Sequence, residues 1–279
     1  MRRYFFKKFV FFCCWFALST AAFSQTTPLT TTKSEGKYFT SFDGAKIYYE
    51  VQGQGQPVIL LHGFRNTMQN WKTKLLYQDL IKNNFKVVVL DLRGNGQSEK
   101  PKTVAGYEKD AEARDVMGLA TALGFKSYQI AGYSRGAIVT AKLLTLDKRI
   151  SAAVLGGMGE AFTNPNWPRR LAFVNALSGK ETNPEFEEFK KSAREQGLDL
   201  QTLLFQQQAQ PSTSPAELAK VQIPVLVISG QEDNDNGSAE ELAKLFKTAT
   251  VKRVPGVHNN AWQNAQFAEA VLTFLQQNK

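Results

Sequence analysis

A chain of 279 residues that is 43% hydrophobic and 21% charged has the length and apolar content for one large α/β domain, which excludes a disordered or fibrous chain. Its formal charge of +9 falls once the N-terminus is set apart: Arg2, Arg3, Lys7 and Lys8 meet no acidic residue before Gln25, and the sequence from Gln25 onward holds 30 basic and 25 acidic residues, interspersed. No basic run carries aromatic stacking positions, which argues against a nucleic-acid partner. Cys13 and Cys14 both fall in the N-terminal segment, so the remainder has no disulfide, thiol nucleophile or cysteine metal site, and with only two histidines in the chain no metal or other cofactor is expected.

The first 24 residues read as a signal peptide. The four cations form its positive end, Phe9 to Leu18 its apolar stretch, and Ala22-Phe23-Ser24 its small-residue cleavage site. Phe9 to Phe23 is short for a span of ~20 residues, so no stable membrane insertion is expected after cleavage. The reading implies export, to the periplasm or beyond the cell. Residues 25–36, rich in threonine, read as a flexible lead.

From Lys37 onward the elements alternate. Lys37 to Ser41 and Lys46 to Val51 read as a hairpin joined at Asp43-Gly44. Val58 to Leu61 is an apolar strand that ends at His62-Gly63, and Gln69 to Lys82 reads as a helix. Val87 to Leu90 leads into Asp91-Leu92-Arg93-Gly94-Asn95-Gly96-Gln97-Ser98, with a helix over Glu108 to Leu123. Next come the strand Tyr128 to Ala131, the string Gly132-Tyr133-Ser134-Arg135-Gly136, a helix over Gly136 to Leu146, and the strand Ala152 to Leu155. An insertion, residues 158–221, is cut by Pro165, Pro168, Pro184, Pro211 and Pro215 into short helices. Val225 to Ile228 and Ala249 to Val254 are the last strands, with helices at Ser238 to Phe246 and Ala265 to Gln276. Strands alternating with helices predict a mostly parallel sheet of eight strands with helices on both faces, whose reacting loops gather at the carboxyl ends of the strands.

Ser134 is the best nucleophile in the chain. A Gly-x-Ser-x-Gly string has mechanical meaning only between a strand and a helix, where the turn is tight enough to strain the serine and crowd out side chains on either side. His258, in a turn-rich stretch before the last helix, is the natural base. His62, at a strand end, reads as structural, tying its loop to neighbouring backbone. Asp233 follows a buried strand, 99 residues after Ser134 and 25 before His258, and is the favoured acid; Asp235 and Glu232 stand beside it as alternatives. Arg65 and Arg135 fit either contact with an anionic substrate or, the reading favoured here, solvation at the surface.

The His62-Gly63 turn, the Asp91 to Ser98 string, the serine elbow, the Gly-x-x-Asp loop ending at Asp233 and the late His258 occur together and in order, and with them the chain resembles the alpha/beta-hydrolase family across nearly all of the sequence after Gln25. The resemblance implies an oxyanion hole made by the backbone N–H groups of Phe64 and Arg135. It also implies that residues 158–221 form a cap whose aromatics, Trp167 and Phe162 with Phe173 and Phe205, line the substrate pocket. Asn95 stands where relatives often carry histidine, a change expected to affect loop packing. Ser134 in place of aspartate argues against the epoxide hydrolases and dehalogenases of the family. The expected function is an exported, cofactor-free serine hydrolase acting on a small-molecule ester. Carbon-carbon bond hydrolysis, peptide hydrolysis and a non-catalytic binding role on the same fold are the alternatives.

Overall fold

A computed structural model describes residues 35–279; the expected signal peptide, residues 1–24, and residues 25–34 of the expected lead lie outside the described residues. In chain order the elements are β1 (Lys37–Thr40), β2 (Lys46–Gln52), β3 (Gln56–Leu61), α1 (Gln69–Lys72), α2 (Leu75–Lys82), β4 (Phe85–Leu90), α3 (Ala111–Ala122), β5 (Tyr128–Tyr133), α4 (Arg135–Leu146) and β6 (Ile150–Gly156). They continue with α5 (Pro168–Leu177), α6 (Pro184–Glu195), α7 (Leu200–Gln208), α8 (Pro215–Leu218), β7 (Val225–Gly230), α9 (Ala239–Lys244), β8 (Ala249–Val254) and α10 (Ala265–Gln277). The strands form one sheet in the order β1-β2-β4-β3-β5-β6-β7-β8. β1 and β2 run antiparallel to their neighbours, and β4, β3, β5, β6, β7 and β8 are parallel.

The central strands are apolar on both faces because both faces are covered. Val58 and Leu60 of β3, with Val87 and Val89 of β4, point into a core packed by α1, α2 and α10 through Trp71, Tyr77, Leu80, Phe267, Val271 and Leu275. Their sequence neighbours Ile59, Leu61, Val88 and Leu90 point the other way, onto Val116, Leu119, Ile138 and Val139 of α3 and α4 and Leu242 of α9. Each such fully buried aliphatic side chain contributes roughly 1.5–3 kcal/mol. The sheet is thereby a rigid platform, and the loops at its carboxyl edge inherit that rigidity.

Two helices depart by more than two residues from those read in the sequence. The helix expected over Gln69 to Lys82 is broken between α1 and α2, where the Thr73 hydroxyl donates to the Asn70 carbonyl and Lys74 is extended. The helix expected from Glu108 begins at Ala111, because Lys109 and Asp110 take φ of 56° and 57°. The insertion between β6 and β7 carries α5 to α8, three of them starting at local caps. Asn183 accepts from Phe186 N–H, Asp199 from Gln201 and Thr202 N–H, and Ser214 with Glu217 forms a capping box. Gln206 on α7 donates to the Arg93 carbonyl at 2.9 Å and to Asn95 Oδ1 at 2.6 Å, fastening this segment to the sheet loops. Asn95 also donates to the Asn66 carbonyl at 3.0 Å, so the asparagine joins its own loop to the Asn66 loop and to α7.

Candidate active site

β5 ends at Tyr133 and α4 starts at Arg135, so Ser134 makes the whole reversal alone, with φ 54° and ψ −120°. For a residue with a Cβ this is strained backbone, a cost of order 1–3 kcal/mol that the surrounding sheet must sustain. The two glycines of the string are required by close approach. A side chain at Gly132 would strike the Gly136 carbonyl, and one at Gly136 would strike the Leu61 carbonyl. The Ser134 N–H donates to the Gly156 carbonyl at 2.7 Å, which pins the turn to β6.

His258 Nε2 lies 2.9 Å from Ser134 Oγ, and His258 Nδ1 lies 2.9 Å from Asp233 Oδ2. An ionised carboxylate only accepts, so Nδ1 carries the proton and Nε2 turns its lone pair to the serine hydroxyl. The Asp233 side chain is 3% exposed and that of His258 17% exposed, so the acid is dry while the base reaches the cavity. Of the candidate acids, Asp233 takes this position; Asp235 is exposed and lies 3.8 Å from Arg169. His62, 2% exposed, sits elsewhere, accepting from Leu92 N–H at Nε2 (3.0 Å) with Nδ1 2.9 Å from the Gly63 carbonyl. Burial lowers its pKa, which keeps it neutral and fits a purely structural tie between two loops.

The backbone N–H groups of Phe64 and Arg135 have no protein acceptor among the described residues, and both residues border the same cavity as Ser134. Arg135 is the first residue of α4, so its N–H is one of the free donors at a helix start, where the dipole favours negative charge. An arrangement of this kind can take a proton from Ser134 and hold an oxyanion beside it.

The cavity has a volume of about 630 Å³ and lies between the sheet loops and the insertion. Trp167, Phe173 and Phe189 line it together with Phe64; Phe64 stacks on Phe189, and Phe173 meets both rings edge-on, with centroids 5.1–6.2 Å apart. Phe162 does not line it: the side chain is 1% exposed and belongs to the core beneath, because it falls in a short helical turn directly after β6. Phe205 packs on Tyr107 instead of the cavity.

Surface solvation is the wrong environment for Arg135. The side chain is 3% exposed and forms a two-pronged pair with buried Glu112 on α3, Nη2 to Oε2 at 2.5 Å and Nε to Oε1 at 3.1 Å. Arg65 is also partly covered, donating to Ser192 Oγ at 3.0 Å and lying 4.7 Å from the Phe189 ring centroid. Two further residues at the site escape sequence reasoning. The Tyr133 hydroxyl donates to the His258 carbonyl at 2.8 Å and fixes the histidine loop; burial and then the Asp233 charge push its pKa up, so the donor proton is retained. Asn236 Nδ2 lies 3.3 Å from the Gly157 carbonyl and 3.1 Å from His258 Nδ1. Tyr133 stands inside the elbow string and Asn236 three residues after Asp233, which is the only sequence signal either gives.

A strained serine between a parallel strand and a helix, with histidine and carboxylate arriving from later strand ends, defines the class as an alpha/beta-hydrolase fold. The comparisons agree. The family model described as alpha/beta hydrolase fold matches residues 56–173. A hydrolase of known structure from Pseudomonas aeruginosa is similar at 25% identity with a TM-score of 0.68, over 86% of this chain and 98% of that one. A non-heme haloperoxidase from Rhodococcus erythropolis is 24% identical, covering 86% of this chain and 99% of the relative. A soluble epoxide hydrolase from a Corynebacterium species is 34% identical over 97 residues, 35% of this chain and 32% of that protein. The chain has the alpha/beta-hydrolase fold and is similar to members of that family.

Proposed function

We propose that the protein is a serine hydrolase that cleaves carboxylic esters through an acyl-enzyme. The observation that carries this reading is the unbroken line from Ser134 Oγ through His258 to Asp233, with both hydrogen bonds at 2.9 Å. Ser134 Oγ attacks the ester carbonyl carbon as His258 Nε2 takes its proton, and Asp233 holds the imidazole in register and stabilises its charged form. The carbonyl oxygen becomes an oxyanion held by the N–H groups of Phe64 and Arg135, each worth roughly 2.7–4 kcal/mol at the transition state. The tetrahedral intermediate collapses, the C–O bond to the alcohol breaks, and His258 returns the proton to the departing oxygen. Water, deprotonated by the same Nε2, then attacks the acyl-serine and releases the acid.

The epoxide hydrolase likeness does not transfer its chemistry. Attack of a serine oxygen on an epoxide carbon yields an ether, which lacks the carbonyl that water needs to free the enzyme. A second reading is favoured by the haloperoxidase that matches over most of its length. Hydrogen peroxide, in place of water, would attack the acyl-serine to give a peracid and free Ser134.

The experiment compares wild type with Ser134→Ala on p-nitrophenyl esters of increasing acyl length, together with a fluorophosphonate label. Turnover and labelling in wild type alone support the reading. A folded wild type that neither labels nor turns over any ester leaves a non-catalytic binding protein as the better account. Addition of peroxide and bromide to the same acyl donors, with halogenation of monochlorodimedone as readout, tests the peracid branch.

A further inference from the structure

The cavity beside Ser134 has an electrical character that plain ester hydrolysis does not require. Lys74, Arg65, Arg135, Arg169 and Arg170 border it, against one carboxylate, the exposed Glu185. Some of these cations are already served. Arg135 is paired with Glu112, Arg169 lies 3.8 Å from Asp235, and Lys74 donates to Gln263 at 3.0 Å. Arg65 and Arg170 have no carboxylate partner among the described residues, yet both are partly withdrawn from solvent.

Three of the nine buried side-chain atoms that lack a partner among the described residues belong to arginines of this wall. Arg65 Nε, Arg170 Nε and Arg135 Nη1 are each buried with no hydrogen-bond partner among the described residues. An unpaired guanidinium donor out of water carries a desolvation cost of about 1–3 kcal/mol or more, and three at one cavity are not an outcome of packing for stability. Burial lowers the pKa of both Arg65 and Arg170, and the like charge of Arg135 adds to the effect on Arg170. Arg65 and Arg170 border the cavity without a carboxylate partner among the described residues, and their Nη groups, which are not among the buried unpartnered atoms, offer an anion the planar fork of donors that suits a carboxylate best. The neighbouring aromatics Trp167, Phe173 and Phe189 supply an apolar surface for the carbon skeleton between that charge and the ester.

Resting on the serine-hydrolase reading, we infer that the substrate is an ester bearing a carboxylate at its non-reacting end, bound by the guanidiniums of Arg65 and Arg170. The hemiester of a dicarboxylic acid places that charge on the acyl side. An ester of a hydroxy acid places it on the alcohol side. Arg65 directly follows Phe64, one of the two proposed oxyanion donors, and Arg65 and Arg170 both border the same cavity as Ser134.

The test measures kcat/KM for two matched pairs: mono-p-nitrophenyl glutarate against p-nitrophenyl pentanoate, and 4-carboxyphenyl butyrate against its methyl ester. The pair that shows the preference identifies the side that bears the charge. At low salt we expect the anionic member of one pair to be favoured at least ten-fold, with the preference falling as salt rises. Arg170→Gln should reduce that ratio about ten-fold and Arg170→Lys only in part. Arg65→Gln, on a different element, is run in parallel in case one variant fails to fold. Turnover of neutral and anionic members at equal kcat/KM, or ratios unmoved in both glutamine variants, would overturn the inference while leaving the serine-hydrolase reading intact. Absence of any turnover or labelling would instead count against that reading. Calorimetric titration of glutarate into wild type and Arg170→Gln then decides the anion site by itself: saturable binding weakened about ten-fold in the variant supports it, and no saturable binding to wild type refutes it.

Discussion

Asp233→Asn isolates what the buried carboxylate does for His258. In the wild type, Oδ2 accepts from His258 Nδ1 at 2.9 Å and leaves Nε2 free to receive the serine proton. An asparagine amide nitrogen at that place donates to Nδ1, which moves the imidazole proton to Nε2 and points it at Ser134, where no proton can be received. Asn236 biases the result the same way, since its Nδ2 already lies 3.1 Å from Nδ1 and is satisfied by an unprotonated ring nitrogen. The opposite amide orientation restores the tautomer but removes the negative charge opposite the imidazolium, in a pocket where the side chain is 3% exposed. Both routes cost transition-state stabilisation, and the same substitution in a comparable triad lowers kcat by about 10,000-fold, roughly 5 kcal/mol. The assay is kcat on p-nitrophenyl butyrate alongside a thermal melt, with Asp235→Asn as the matched control. Retention of more than a tenth of wild-type kcat by Asp233→Asn, or a comparable collapse in Asp235→Asn, would refute the assignment.

The same contacts set three other outcomes. Glu112→Ala strands the buried Arg135 guanidinium, and because the arginine also borders the water-accessible cavity we expect the lower end of the cost of breaking a buried pair, about 3 kcal/mol in urea unfolding; a loss below about 1 kcal/mol would contradict it. The Ser214 N–H, followed by its hydroxyl and Lys142, holds the Glu217 carboxyl down from 4.5 to about 2, so its stabilising contribution is complete above pH 4.5 and is lost as pH falls toward 2. The stability gap between wild type and Glu217→Gln is therefore expected to be full at pH 6 and to narrow by pH 3; a gap independent of pH would count against a carboxylate held charged by the Ser214 cap and Lys142. We also propose export, with cleavage after Ser24. Intact-mass measurement of the protein expressed from its full sequence should give a chain beginning at Gln25, and a product retaining residues 1–24 would exclude cleavage there.

By itself the sequence determined the parts of this protein that local chemistry fixes. Short unbroken apolar runs rich in β-branched residues such as Val225 to Ile228, bounded by Pro224 and Gly230, read as strands covered on both faces, and their alternation with helices implies a mostly parallel sheet before any contact is known. Ser134 was legible because glycine at 132 and 136 is a steric requirement of one particular turn, and His258 because the chain offers just one other histidine. What needed tertiary structure was every choice among chemically equal neighbours. Asp233 and Asp235 are the same residue two positions apart, and only the approach of the His258 loop to one of them separates an acid facing the imidazole from an exposed partner of Arg169. Phe162 and Trp167 are both aromatic residues of one segment, but a helical turn sinks the first into the core and leaves the second on the cavity. Arg135 looks like a surface cation in sequence, since nothing nearby in the chain announces Glu112 on another helix. Composition and spacing encode which backbone turns are possible, whereas burial and charge pairing depend on distances between segments far apart in the chain, which only the folded sheet sets.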